Sequence, residues 1–367
     1  MSDTNPRVSF VVPCYKLGHL LGECIVSILS QSYDDLEVIV MDDCSPDETP
    51  AIARSFRDPR VRYVRNERNL GHMENYNKGV ELARGEYVWL ISADDRLRRP
   101  YVLERFVYAL DVNPSAGYVF CPVVRFRDSE DLHLYGVHGD TDALFDGRRF
   151  FLQLADGNSV PAASTMARRR CYQRQGKYPL DLPFANDWYM WALFAFAYDV
   201  VYLAEPMVGW RVHDANMTLG FKQRPTALVA DELTVRWRLL RLCETRREPK
   251  LAAKVFRLIA ADYSLRVVRY AATAWPFGLT EPEFEASLAQ HAWRPGEQAA
   301  LRALVYAALG DHYFQAPDVP RARELYERSL HYAPRSLRTL AKLTLLKAGQ
   351  LGVLTRSAMV GLRQAIR

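Results

Sequence analysis

Periodicity constrains this chain more tightly than any other feature. Between residues 8 and 91, short aliphatic or β-branched runs alternate with segments whose apolar residues recur at helical spacing. Val8-Ser9-Phe10-Val11-Val12, Leu36-Glu37-Val38-Ile39-Val40-Met41, Val61–Val64 and Tyr87–Ile91 read as strands. Leu20 to Ser32, Thr49–Phe56 and Met73–Ala83 read as helices. Strands joined by helices of this length are βαβ units, which build a mostly parallel sheet with helices on both faces. Such a sheet binds its ligand beyond the carboxyl ends of the strands, where strand order reverses.

The strand ends are therefore the informative positions. They read Pro13-Cys14-Tyr15, Asp42-Asp43-Cys44-Ser45 and Ser92-Ala93-Asp94-Asp95, so two of the three carry paired carboxylates. Adjacent acids repel unless a cation or a hydrogen-bond donor sits between them. A hard divalent cation, Mg²⁺ or Mn²⁺, held by one or two carboxylates and a substrate's phosphates suits this pattern. Taken singly, Asp42-Asp43-Cys44-Ser45-Pro46 also fits a plain strand exit and helix cap. Neither a GxGxxG nor a GxxxxGK[ST] phosphate loop occurs.

These segments, with Ser27-Ile28-Leu29-Ser30-Gln31-Ser32-Tyr33, Asn69-Leu70-Gly71 and Ala83-Arg84-Gly85-Glu86-Tyr87, resemble the opening of the family 2 glycosyltransferases. The resemblance covers roughly residues 7–220. It implies the GT-A fold, a Rossmann-like nucleotide-sugar-binding domain, and transfer with inversion at the anomeric centre. It implies that Pro13 and Tyr15 line the base pocket and that Asp43 accepts from the pyrimidine N3–H, with Asp42 as the capping member of the pair or the reverse. A carboxylate acceptor suits uracil or thymine, so the donor expected is a UDP- or dTDP-sugar. Asp94 matches the metal ligand of the family's D-[SA]-D-D motif, and Asp95 is either a second ligand or a helix cap. Ser92 replaces that motif's first Asp, and Tyr76 stands where many relatives carry Arg.

Inverting transfer needs a general base for the acceptor hydroxyl. Asn186-Asp187, opening the apolar stretch Trp188-Tyr189-Met190-Trp191, matches the family's base-bearing pair; from spacing alone Asp187 is equally an N-cap. Gly209-Trp210-Arg211-Val212-His213 and Asn216-Met217-Thr218 resemble the family's donor-closing loop. There Arg211 would meet the diphosphate and His213 the diphosphate or the metal. The acceptor expected is a glycan or a lipid-linked saccharide.

At 367 residues the chain is long for one domain. After Pro225 the pattern is helical throughout, which divides it into a GT-A domain, 1–222, and an all-α domain, 223–367. Within the latter, residues 303–336 fit one 34-residue tetratricopeptide pattern, with Tyr306, Leu309, Gly310, Tyr313, Ala322, Tyr326 and Pro334 at the expected offsets. A solenoid needs about three repeats. An ordinary helical hairpin and a protein-docking surface both accommodate the pattern.

Arg328 to Arg367 contains eight Lys or Arg and no acid, while the other 327 residues hold 40 basic and 43 acidic groups. A mildly acidic body with a basic end argues against a nucleic-acid binder. Leucines interleaved with those cations suit peripheral contact with an anionic membrane surface. The longest uncharged apolar stretch, Trp188 to Tyr198, is too short to span a bilayer, and the polar amino terminus has no signal-peptide core. Six scattered cysteines without CxxC complete the expectation of a cytoplasmic protein. Without a membrane span or a Q-x-x-R-W box, a processive synthase is disfavoured. The alternative from a different class is a non-catalytic scaffold built on a degenerate transferase domain.

Overall fold

The computed structural model describes residues 5–214, 216–217, 220, 223–316 and 318–347. The chain divides into two compact units at Arg224/Pro225, two residues beyond the boundary expected from sequence.

The first unit is built on an eight-stranded sheet. In chain order its strands are β1 (Val8–Cys14), β2 (Leu36–Asp42), β3 (Val61–Arg65), β4 (Tyr87–Leu90), β6 (Ala116–Phe120), β9 (Ala143–Phe145), β10 (Thr165–Arg168) and β11 (Asp199–Tyr202). Across the sheet they run β3-β2-β1-β4-β10-β6-β11-β9. β3, β2, β1 and β4 are parallel, as the period reading expects. β10 is antiparallel to both of its neighbours, and β9 to β11. β10 has only four residues, Thr165-Met166-Ala167-Arg168, so its alternation is too short to read in sequence. β1 and β2 are buried along their whole length, which explains their continuous apolar runs.

The chain steps outward from β1 to β2 and β3, then returns to place β4 on the other side of β1. The carboxyl ends of β1 and β4 therefore flank the switch point. Helices α1 (Gly18–Leu29), α2 (Thr49–Ser55), α3 (His72–Leu82) and α4 (Val102–Asp111) follow β1, β2, β3 and a short strand at Arg96–Leu97. α3 lies hard against the sheet, because a Cβ on Gly79 would come within 2.3 Å of Val11 Cγ1.

A second, four-stranded sheet runs β5 (Arg96–Leu97), β12 (Val208–Arg211), β7 (Val123–Arg127), β8 (Glu130–Tyr135). β12 pairs with β5, placing Val208 opposite Leu97 and Gly209 opposite Arg96. This carries the end of the first unit back to the turn that follows β4. The unit also contains helices α5 (Gly147–Asp156), α6 (Arg169–Gln175) and α7 (Asn186–Ala197).

The described part of the second unit is helical: Pro225–Thr245, Pro249–Thr273, Glu281–Leu288, Glu297–Gln315, Val319–Tyr332 and Leu337–Lys347. The fourth and fifth helices form the hairpin expected from the tetratricopeptide pattern. Tyr306, Leu309, Gly310, Ala322, Tyr326 and Ser329 are buried between them. A Cβ on Gly310 would lie 2.6 Å from the Tyr326 ring, so the small residue is what lets the helices approach. The last helix lays Leu343 and Leu346 against Ala322 and Tyr326, and Lys342 pairs with Asp311. The first turns of the basic segment thus pack on the hairpin, while Leu337 is 81% exposed. Residues 348–367 of the expected membrane-binding segment lie outside the described residues.

Candidate active site

The exits of β1 and β2 are knitted together. Asp43 N donates to Cys14 O at 3.0 Å and Lys16 N to Ser45 Oγ at 3.2 Å. Lys16 and Cys44, each two residues past a strand, hold left-handed backbone (φ 58° and 61°), which non-glycine residues adopt at an energetic cost and which clusters at functional sites. Pro13 is buried within β1, and the Tyr15 ring just beyond it is 42% exposed.

The two acids after β2 divide their roles. Asp42 is fully enclosed: Oδ1 accepts from Ser45 N at 2.8 Å, and Oδ2 from the Tyr63 hydroxyl at 2.6 Å and Arg65 at 2.7 Å. Asp43 Oδ1 accepts from Asn66 Nδ2 and Leu70 N, while among the described residues Oδ2 accepts only from Gly71 N, at 2.9 Å. Gly71 (φ +84°) caps α3, so Asp43 anchors that helix and one lone pair of Oδ2 is left for a further donor.

Beyond β4, Asp94 Oδ2 accepts from His213 Nε2 at 2.9 Å and Asn216 Nδ2 at 3.2 Å. Its Oδ1 is buried with no partner among the described residues. Asp95 Oδ1 accepts from Arg211 N at 3.0 Å. Burial, then repulsion from Asp94, pushes the Asp95 carboxyl well above the usual carboxylate range. The Arg211 side chain turns away from open space: Nε donates to Asp94 O at 2.9 Å, and Nη2 pairs with Glu23.

Among the described residues no three His, Cys, Asp or Glu side chains converge as a metal cage. Asp94 and His213 nevertheless fit a divalent cation completed by substrate phosphates, because an unpartnered buried carboxylate oxygen is what such a cation would satisfy.

Asp187 is the second residue of α7, where helix N–H groups favour an anion. Burial raises its carboxyl to about 6 against hydrogen bonds from Trp188 N, at 2.7 Å, and the Asn158 side chain. A base with this value is largely ionised at pH 7 yet still takes a proton readily. Burial, followed by the fields of Asp94, Asp187 and Asp95, pushes the Tyr76 hydroxyl up. One tyrosine on α3 thus feels all three carboxylates. α3 also holds the segment leading into α7: Asn77 exchanges two hydrogen bonds with the Tyr178 backbone, and His72 Nε2 donates to Pro183 O at 2.9 Å.

Residues 9–174 match the family described as "Glycosyl transferase family 2". The first unit carries a family 2 glycosyltransferase domain. Over 109 residues, 30% of its length, the chain is 38% identical to the succinoglycan biosynthesis protein ExoO of Rhizobium meliloti. Over 90 residues, 24% of its length, it is 39% identical to the glycosyltransferase GlyG of Streptococcus pneumoniae. These matches span 31% and 30% of the two relatives, so the chain covers about a third of each. Among solved structures it resembles TarS 1–349 of S. aureus in complex with UDP-GlcNAc, with a TM-score of 0.59 at 15% identity, covering 90% of this chain and 93% of that one. That likeness establishes the GT-A fold.

Two residues of the site were not singled out from sequence, Asn158, which bonds to Asp187, and Glu23; Tyr76 was noted there only as a departure, without a role. Glu23 on α1 pairs with both Arg96 and Arg211, whose guanidinium groups lie 4.3 and 4.5 Å from the centre of the Phe126 ring. This clamp seats β12, and with it His213, beside Asp94. The Arg211 guanidinium is buried, but Glu23 is 41% exposed, and solvent screening on its side holds the pair to about 1 kcal/mol. Glu23→Gln is therefore expected to raise the donor KM roughly fivefold with kcat little changed, and Glu23→Asp to recover part of the loss. Steady-state kinetics across Mn²⁺ concentrations check this; an unchanged KM removes the clamp from the site.

Proposed function

We propose that the protein is an inverting, non-processive glycosyltransferase that moves a sugar from a UDP- or dTDP-sugar to a hydroxyl of a glycan or lipid-linked acceptor, in cell-surface polysaccharide synthesis. One observation carries the reading: Tyr76 on α3 lies in the fields of both Asp187, whose carboxyl burial raises to about 6, and Asp94, whose buried Oδ1 has no partner among the described residues. Asp187 can remove a proton from an acceptor hydroxyl, and Asp94 can help hold a divalent cation on a diphosphate. The TarS complex with UDP-GlcNAc and the succinoglycan role in ExoO's name support the donor class and the setting.

In this reading Tyr15 stacks on the base beside Pro13, and Asp43 Oδ2 accepts from pyrimidine N3–H. Asp42 braces the pair through Tyr63 and Arg65. Asp94 and His213 would hold Mg²⁺ or Mn²⁺, and the charge such a cation supplies would offset that of a diphosphate leaving group. Asp95 and Arg211 fix the loop that delivers His213. Asn158 orients Asp187, which deprotonates the attacking hydroxyl on the face opposite the leaving group.

Incubating the full chain with UDP- and dTDP-sugars, with and without Mn²⁺, tests the function. Metal-dependent release of nucleoside diphosphate is expected. A protein that neither binds nor hydrolyses any of them is not this enzyme.

No helix among the described residues is long and apolar enough to cross a membrane. We place the enzyme at the inner face of the cell membrane through its basic carboxyl-terminal segment, where each Lys or Arg contributes on the order of 1 kcal/mol. Full-length protein is expected to sediment with anionic vesicles at low salt, and protein ending at Gln350 to stay in the supernatant. Equal recovery in the supernatant removes the anchor.

A further inference from the structure

The small sheet has two faces of different character. On one, Phe126 lies between Arg96 and Arg211, and Glu23 balances both cations. On the other, the register sets Trp210, Arg125 and His133 side by side on β12, β7 and β8. Tyr135, two residues beyond His133, shares that face. The Tyr135 and Trp210 ring centres are 5.8 Å apart at 60°, and the Arg125 guanidinium lies 4.9 Å over the Trp210 ring.

Arg125 differs from the cations opposite. Nη1 donates to His133 Nε2 at 2.7 Å, but His133 supplies no negative charge there. Among the described residues no carboxylate lies within ion-pair distance of Arg125, and its Nε is buried without a partner. A half-buried guanidinium left this way is unfavourable until an anion or an acceptor meets it.

The wall adjoins the base end of the site. The Tyr135 hydroxyl donates to Asn158 O at 3.2 Å, and the Asn158 side chain binds Asp187. The Asp187 charge in turn adds to burial in raising the Tyr135 hydroxyl. An aromatic wall with a few fixed polar groups is the usual lining of a small-ligand site, and aromatic rings pack against the C–H faces of sugars.

We propose that Trp210, Tyr135 and Arg125 form the acceptor subsite, and that the acceptor is a saccharide with an anionic substituent, a carboxylate or a phosphate ester, which Arg125 pairs with. The guanidinium supplies the charge-assisted hydrogen bonds, the rings supply the face for the sugar, and the hydroxyl to be glycosylated reaches Asp187. The inference rests on the reading of Asp187 as the base.

Three probes test it on the full chain by titration calorimetry: methyl β-glucoside, methyl β-glucuronide and glucose 6-phosphate, with UDP titrated separately. Wild type is expected to bind at least one charged probe roughly tenfold more tightly than the neutral one, and which of the two identifies the anion. Arg125→Gln removes the preference, Arg125→Lys keeps most of it, and Trp210→Ala weakens all three probes. Equal binding of charged and neutral probes by wild type overturns the proposal whether or not any variant folds. So does an Arg125→Gln variant that loses UDP affinity by the same factor, since that would put Arg125 at the donor. Failure of nucleotide-sugar hydrolysis overturns the proposed function instead, while the saccharide preference stays measurable.

Discussion

Asp187→Asn is expected to lower turnover by roughly 10²–10⁴-fold, the range for losing a general base, while nucleotide-sugar affinity stays nearly constant. The amide keeps the shape and the hydrogen bond to Trp188 N but cannot take the acceptor proton. Because the carboxyl sits at about 6, wild-type kcat should fall about tenfold per pH unit below that value. The variant's residual rate should lack this limb. Stability gives an independent readout with the opposite sign. The folded-state value of about 6 lies above the ordinary 3.8, so whatever the group adds to stability is fully present below 3.8 and is lost as pH rises through 6. Two pKa units correspond to at most about 3 kcal/mol. Asp187→Asn should therefore melt higher than wild type at pH 8, and this difference should vanish near pH 4. Near-normal transfer by the variant would exclude Asp187 as the base.

Asp94→Ala is expected to weaken donor binding roughly 10–100-fold when Mn²⁺ is present, since even partners of metal ligands are worth this much. In chelator the variant and wild type should bind UDP alike, because Asp94 would act on the donor only by holding the cation. His213→Ala should behave in the same way with a smaller factor. Calorimetric titration of UDP with Mn²⁺ and with EDTA separates the outcomes. If Asp94→Ala loses affinity equally in both conditions, the residue shapes the pocket without holding metal.

The βαβ order of residues 8–91 was legible because β1 and β2 are buried on both faces and read as unbroken apolar runs, with helices of distinct period between them. The paired acids were legible as well, since strand ends in such a sheet point at the ligand crevice. The local chain could also announce the hairpin of the helical unit, whose Gly310 and Tyr326 have an offset that is itself the packing contact. These are features in which neighbours along the chain are also neighbours in space.

What the tertiary structure alone decided concerns residues far apart in sequence. β12 pairs with β5 and β7, and that pairing puts His213 and Asn216 on Asp94, 119 and 122 positions away. Nothing in the spacing of Asp42 and Asp43 says which one is enclosed; Tyr63 and Arg65 on β3 close over Asp42, while the loop before α3 leaves Asp43 with a lone pair to spare. Tyr76 looked like a departure without a role until the fold placed it among three carboxylates. Glu23, Asn158 and Arg125 carry no local signal, because an ion pair, a bond to the Asp187 carboxyl and a guanidinium with no carboxylate beside it among the described residues depend on which chain segments meet. The sequence by itself determined the sheet, its crevice and the acids at its strand ends; only long-range packing, through burial and partner choice, determined that Asp42 is enclosed, that Asp94 keeps an oxygen with no partner among the described residues, and that Asp187, at the start of α7, is raised to about 6.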